Sequence, residues 1–433
     1  MTQTHQGRRD LLKAAAAVTT LGPVVLGGSG GSRAAEPTGQ VAPAPRAAID
    51  AVLRRAVDAE EVPGVVALAA TDKGVFYEGV FGTRDIAKGP AMTLDTVFRI
   101  ASMTKAVTSV AAMQLVERGK LKLDGPVPDI DPALSTPQVL DGFDPSGAPR
   151  LRPAKRPITL KHLLTHTAGF SYELWDANTA RYVKASGLPS TSTGKVASLR
   201  LPLVFDPGER WEYGVNIDWV GLLVEAASGQ KLDAYFQEHI FGPLGMKDTG
   251  FVTTPEQRAR QVSVHQRQAD GSLQPQPLET PFTPEFWPGG GGLYSTASDY
   301  MAFLRALLHD GAFNGARILR PETVALMGQN HIGDIEAGIL KTTLPGRSTD
   351  VDFFPGASLK WGLGYMINAR QGPNGRGAGS LTWAGIFNTH YWIDPARRVV
   401  GVLMTQVLPF GDERTMRLYG RFERAVYDTL KAA

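Results

Sequence analysis

Ser102 and Lys105, in the run Ala101-Ser102-Met103-Thr104-Lys105, pair a hydroxyl with an amine at the start of a helical stretch. Residues three apart share a helix face, so the two groups can meet. A serine placed there only as an N-cap would be completed by Glu or Gln three residues on. A lysine instead opposes the positive end of the helix dipole, at a cost of roughly 0.3–1 kcal/mol. Nucleophilic catalysis gives that charge a use. Burial at the dipole's positive end favours a neutral amine, which can accept the serine proton. The serine's own amide, unpaired in the first turn, can point at a developing oxyanion. Other chemistries have thinner support. His162 and His166 stand four apart like a pair of zinc ligands, but the Glu of H-E-x-x-H is missing, so a core or turn role is expected and no metal site. Gly27-Gly28-Ser29-Gly30-Gly31 fits G-x-S-x-G only formally, with no strand before it or helix after it. The chain has no cysteine, which excludes disulfides, thiolate metal sites and thiol nucleophiles.

Several elements must position these groups. The helix carrying Lys105 is expected from Met103 to Arg118, stopped by Gly119, and its apolar residues lie on most sides, as in a buried central helix. Ahead of it, Arg46 to Ala59 has helical spacing, and Val65 to Ala70 with Val75 to Phe81 reads as a hairpin about the turn Thr71-Asp72-Lys73-Gly74. The proline- and glycine-rich stretch from Asp124 to Ile158 reads as loops, and Trp287 to Gly292 as a flexible glycine loop. Further helices are expected at Leu160 to Thr165, Ile217 to Ala227 and Ser298 to Leu308. Two strands, Thr389 to Ile393 and Val399 to Thr405, precede a final helix, Glu413 to Leu430. Strands at both chain ends around a helical, loop-rich middle predict one α/β lobe built from both termini with a mostly helical lobe inserted.

With 433 residues, 43% of them hydrophobic and 20% charged, the chain can bury a large core. Residues 1–34 read as a twin-arginine export signal, from the Arg8-Arg9 pair through a short apolar run to Ser32-Arg33-Ala34, with a Pro/Ala-rich leader at 35–46. The expected location is therefore periplasmic or secreted, without stable membrane insertion after signal removal. That segment holds four basic residues and one acidic, so the totals of 45 and 42 fall to 41 of each, and the net charge of +3 belongs to the signal. Nothing electrostatic then points to nucleic acid as a partner.

The stretch Thr96 to Thr108, followed by Leu115-Val116-Glu117-Arg118-Gly119-Lys120-Leu121-Lys122-Leu123-Asp124, resembles the first motif block of serine β-lactamase and penicillin-binding-type hydrolases, especially the class C β-lactamase-like group. Ile158 to Gly169 resembles the family's helix-and-turn segment, and Gly290 to Asp299 its glycine-loop segment. The resemblance covers most of residues 47–430. It implies an α+β, β-lactamase/transpeptidase-like fold with an antiparallel sheet flanked by helices. It also implies a second proton-handling residue, the tyrosine of a Y-x-N motif, which aligns with Tyr213; Val215 stands at the asparagine position and Asn216 one later. Trp383-Ala384-Gly385 aligns with the usual K-T-G, expected on an edge strand lining the site, and the Ile386 amide then supplies the second oxyanion donor beside that of Ser102. Loss of the K-T-G lysine removes a cation that would pair with a β-lactam or peptide carboxylate. Trp383 offers an apolar wall, as in the similar family VIII carboxylesterases.

These readings predict a cofactor-free serine hydrolase. Ser102 forms an acyl-enzyme, Lys105 and Tyr213 manage its proton, and Trp383, Ala384 and Gly385 contact a small-molecule ester or amide. A carboxylesterase comes first. The alternatives are a β-lactamase, a D-amino-acid peptidase, a transesterase, or a binding protein that acylates and stalls. Tyr172, Trp175, Phe282, Phe286 and Trp287 fit either an acyl pocket or ordinary core.

Overall fold

A computed structural model describes residues 43–87, 89–277 and 284–432. The export signal, the G-x-S-x-G run, most of the leader and Phe282 lie outside them. Seven strands form one antiparallel sheet: β1 (Gly64–Thr71), β2 (Gly74–Gly82), β3 (Leu359–Trp361), β4 (Met366–Asn368), β5 (Leu381–Gly385), β6 (Thr389–Asp394) and β7 (Val399–Met404). Their spatial order is β3-β4-β5-β6-β7-β1-β2, so the first hairpin and the C-terminal strands close one sheet. The register runs through pairs such as Val66 with Met404 and Trp383 with Tyr391.

The pleat sorts the core into two layers. Val65, Ala67 and Ala69 of β1 pack with Ile49 and Leu53 of α1 (Pro43–Asp58), and with Leu418 and Phe422 of the C-terminal helix Glu413–Ala432. Val66, Leu68 and Ala70 face the other way, into the core of the inserted helices. That second layer contains α2 (Thr104–Glu117), α3 (Asn216–Ser228) and α4 (Ala297–Leu308), with the C-terminal helix counted as α5. Residues 104–115 of α2 are all buried, which explains its apolar residues on every side. At its far end Gly119 takes φ +69°, a left-handed stop that costs glycine little.

Three expectations need correction. The stretch 124–158 is not all loop, because Gln138–Phe143 and Pro149–Pro153 pair as an antiparallel hairpin. Its prolines sit at the ends of a short outer strand, where a missing N–H does no harm, and that disguised it. Trp287 to Gly292 is not a free loop either, since Gly289 and Gly290 are buried between α2 and α3. Gly289 comes so close to α3 that an added Cβ would lie 3.0 Å from the Ile217 carbonyl. Finally, β5 lies inside the sheet. Short β4 reaches only Leu381 and Thr382, so Trp383, Ala384 and Gly385 extend past it along the site.

Candidate active site

Ala101, immediately before Ser102, has φ +45°, an uncommon conformation for a residue with a Cβ. It opens a tight turn, Ala101–Met103, that feeds into α2. The turn is held from several sides: Ile100 N–H donates to the Leu293 carbonyl (3.1 Å), Leu293 N–H to Thr104 Oγ1 (3.1 Å), and the Tyr300 hydroxyl to the Met103 carbonyl (3.0 Å). Ser102 caps neither the turn nor the helix. Its hydroxyl meets the Lys105 amine instead, with Nζ to Oγ at 3.2 Å.

Lys105 is 1% exposed. Besides Ser102, its Nζ donates to the Gly290 carbonyl at 2.6 Å and to the Tyr172 hydroxyl at 3.3 Å. It also stands 4.7 Å from the ring centroid of Tyr213, a cation–π distance. The amine thus meets the ring of Tyr213, while the hydroxyl bonded to it belongs to Tyr172. Tyr213 directs its oxygen elsewhere and accepts the indole N–H of Trp383 at 3.1 Å. Trp383 is therefore more than the apolar wall expected of it. It is 2% exposed, packed against Tyr213, Trp361 and Phe353, and its one polar group engages the tyrosine oxygen.

Gly385 brings β5 against the serine turn. A Cβ there would lie 2.3 Å from the Ile100 carbonyl oxygen, so only glycine permits the contact. Ala384 is buried beside it, and Ile386 follows in the turn leaving the strand. Val215 is fully buried. Asn216 donates to the Phe170 carbonyl and pairs with His166 Nδ1 at 2.9 Å, so it supports the Tyr213 segment from behind. The His166 ring lies 4.9 Å from that of Tyr213, and burial holds its imidazole well below the ordinary range, hence neutral. His162 completes a capping box with Thr159 at the short helix Leu160–Leu164.

Three roles escaped the sequence reading. Tyr172, expected only as a wall or core aromatic, links Lys105 to Asp218, whose Oδ2 accepts its hydroxyl at 3.3 Å. Asp218 Oδ1 accepts the Gly290 N–H at 2.8 Å. Burial, the largest influence, pushes the Asp218 carboxyl up from the ordinary range, and nearby Lys105 opposes it. A carboxylate in the apolar run Asn216-Ile217-Asp218-Trp219-Val220 was the available signal. Phe353 was also missed. It bridges Trp383 (5.1 Å between centroids) and Phe410 (6.1 Å), and Phe410 meets Trp175 at 6.4 Å, which extends an aromatic face away from Tyr213. Trp287 and Phe286 are drawn inward, Trp287 stacking on Phe251 at 5.2 Å and Phe286 buried.

The family model described as Beta-lactamase matches residues 49–425. The chain belongs to the beta-lactamase family. Among its relatives in this family, monacolin J acid methylbutanoyltransferase of Aspergillus terreus is 34% identical over 397 residues, covering 88% of this chain and 95% of that protein. Lovastatin esterase of Penicillium rubens is 33% identical, covering 88% and 98%. Of solved structures, unliganded simvastatin synthase (LovD) from A. terreus superposes with a TM-score of 0.77 at 33% identity, over 90% of this chain and all of that one. EstCE1, a hydrolase with promiscuous acyltransferase activity, gives 0.71 at 26% identity over 88% and 98%. This beta-lactamase-family chain is accordingly an enzyme of the serine hydrolase class, near the family's esterases and acyltransferases.

Proposed function

We propose that the enzyme cleaves small neutral carboxylic esters through an acyl-enzyme on Ser102. The observation that carries this reading is the paired contact of Lys105 with Ser102 at 3.2 Å and of Trp383 with Tyr213 at 3.1 Å, where a K-T-G member would place a lysine. Lys105 takes the hydroxyl proton as Ser102 Oγ attacks the carbonyl carbon. The amides of Ser102 and Ile386 hold the oxyanion. Tyr213 gives its own proton to the departing alcohol while the indole N–H supports its oxygen. Water then attacks the acyl carbon, giving a proton to the Tyr213 oxygen, while the Lys105 ammonium returns its proton to Ser102 Oγ, which frees the acid and restores all three groups. With Trp383 at the lysine position a substrate carboxylate meets no cation there, and with Val215 at the asparagine position a substrate amide loses its side-chain partner, which disfavours β-lactams and peptides. The half-buried face of Phe353 beside Trp383 suits an apolar acyl group.

Relatives named for methylbutanoyl transfer and for lovastatin ester cleavage favour a short acyl chain and support a second outcome, transfer of the acyl group to an alcohol. Export through Arg8-Arg9 to a periplasm or beyond remains part of the proposal. The test pairs the protein with Ser102→Ala on p-nitrophenyl butyrate and a chromogenic cephalosporin, with and without an added alcohol. Ester turnover that vanishes in the variant, with little cephalosporin opening, supports the esterase; ester product formed with the alcohol supports transfer. Dominant cephalosporin turnover overturns the reading.

A further inference from the structure

Asp218 is a buried carboxylate for which the described residues show no salt bridge, and the mechanism above gives it no task. Its two oxygens are nevertheless both used, one by the Gly290 N–H and one by the Tyr172 hydroxyl. Gly290 and Tyr172 are also the two groups besides Ser102 that bond the Lys105 amine. One carboxylate therefore holds both of the fixed neighbours of the proton acceptor. The loop lies close against the carboxylate: a Cβ at Gly290 would sit 2.5 Å from Asp218 Oδ2.

Counting hydrogens shows what this arrangement does. A carbonyl oxygen has no proton, so Gly290 always takes one N–H of Lys105. An ionised Asp218 has none either, so the Tyr172 proton points to Oδ2, and the phenol turns a lone pair to Lys105 and takes a second N–H. A neutral amine then has both hydrogens committed. Its lone pair faces Ser102, the remaining neighbour able to give a proton. We propose, resting on the reading of Ser102 as nucleophile, that Asp218 is a positioning residue which, through Tyr172 and Gly290, aims the Lys105 lone pair at the serine hydroxyl.

Asp218→Asn reverses this polarity at nearly constant shape. The amide oxygen must stay on the Gly290 N–H, so the amide NH2 faces Tyr172 and donates to it. The displaced phenol proton then turns to Lys105 and occupies the lone pair that Ser102 needs. Tyr172→Phe removes the hydroxyl and with it both the support and the reversal.

The experiment measures labelling by a fluorophosphonate, separating the maximal rate of inactivation from the apparent affinity, for the protein, Asp218→Asn, Tyr172→Phe, the double variant and Ser102→Ala. We expect Asp218→Asn to lower the maximal rate by roughly a hundredfold, the scale of a lost general base, with affinity unchanged. Tyr172→Phe should lower it severalfold, to about tenfold at most, the scale of one hydrogen bond. In the Tyr172→Phe background Asp218→Asn should add little, because no phenol proton remains to be misdirected. An equal penalty in both backgrounds, or a loss seen only in affinity or folded fraction, overturns the proposal. Should Asp218→Asn not fold, an unchanged maximal rate in Tyr172→Phe overturns it. Labelling that persists in Ser102→Ala would refute the nucleophile instead, a result distinct from failure of the relay.

Discussion

Replacing Trp383 by Phe deletes the indole N–H that reaches Tyr213 and keeps an aromatic ring between Phe353, Trp361 and Tyr213. A neutral hydrogen bond contributes about 0.5–1.5 kcal/mol net, and one to a charged group about 1.5–3 kcal/mol. In the proposed mechanism Tyr213 gives its proton to the departing alcohol and its oxygen gains negative charge, so the bond moves from the first class toward the second. Only that strengthening lowers the barrier. The difference of about 1–1.5 kcal/mol corresponds to about a tenfold fall in kcat. Loss of ring volume in a site 2% exposed also opens a partial cavity. Its cost should stay well below the about 3–5 kcal/mol of complete truncation to alanine. The assay is steady-state hydrolysis of ethyl butyrate, whose alkoxide needs a proton to leave, with thermal unfolding alongside. A kcat within twofold of the parent in a folded variant would refute the reasoning, as would a change confined to KM.

Other substitutions test other parts of the account. Gly385→Ala places a Cβ 2.3 Å from the Ile100 carbonyl, so β5 must lift off the serine turn; overpacking of about 1–3 kcal/mol and a larger loss of esterase activity are expected, read by urea denaturation and kinetics. Ala101→Gly removes a left-handed strain of about 1–2 kcal/mol, against about 0.5–1 kcal/mol of glycine entropy. A slightly raised Tm with activity retained should follow; a clear fall would show that the turn does not bear that strain. Burial pushes the Glu212 carboxyl up to about 7 from an ordinary 4.5, with Ser171 donating to it. The native state then holds a proton that the unfolded chain has released, so this group's contribution falls as pH rises from about 4.5 to 7. Glu212→Gln should match the parent near pH 4 and exceed its stability near pH 8 by up to roughly 3 kcal/mol, measured by urea denaturation at both pH values.

How much of this was legible beforehand followed the range of each interaction. Ser102 and Lys105 are three residues apart, and their pairing needs only one helical turn. The hairpin of β1 and β2, α2 with its glycine stop, and α3 to α5 were also readable, because their patterns complete within one segment. Tyr172 and Asp218 are far apart in the chain, and each meets Lys105 or Gly290 only after α2, α3 and the glycine loop have packed. Tyr213 was found by resemblance, but its partner was not, since Trp383 lies 170 residues away and its indole N–H reads as core until the rings are in place. Strands β3 and β4 were missed for a related reason: with three residues each, they carry too little alternation to announce themselves.

The central claim is that Ser102 carries the acyl group. Rapid quenching of the enzyme with p-nitrophenyl butyrate, followed by proteolysis and mass spectrometry, tests it most directly. The account predicts a butyryl increment on the peptide containing Ser102, formed with the release of p-nitrophenol and absent from Ser102→Ala. A turning-over enzyme with the increment on another residue, or with undiminished turnover in Ser102→Ala, would contradict it.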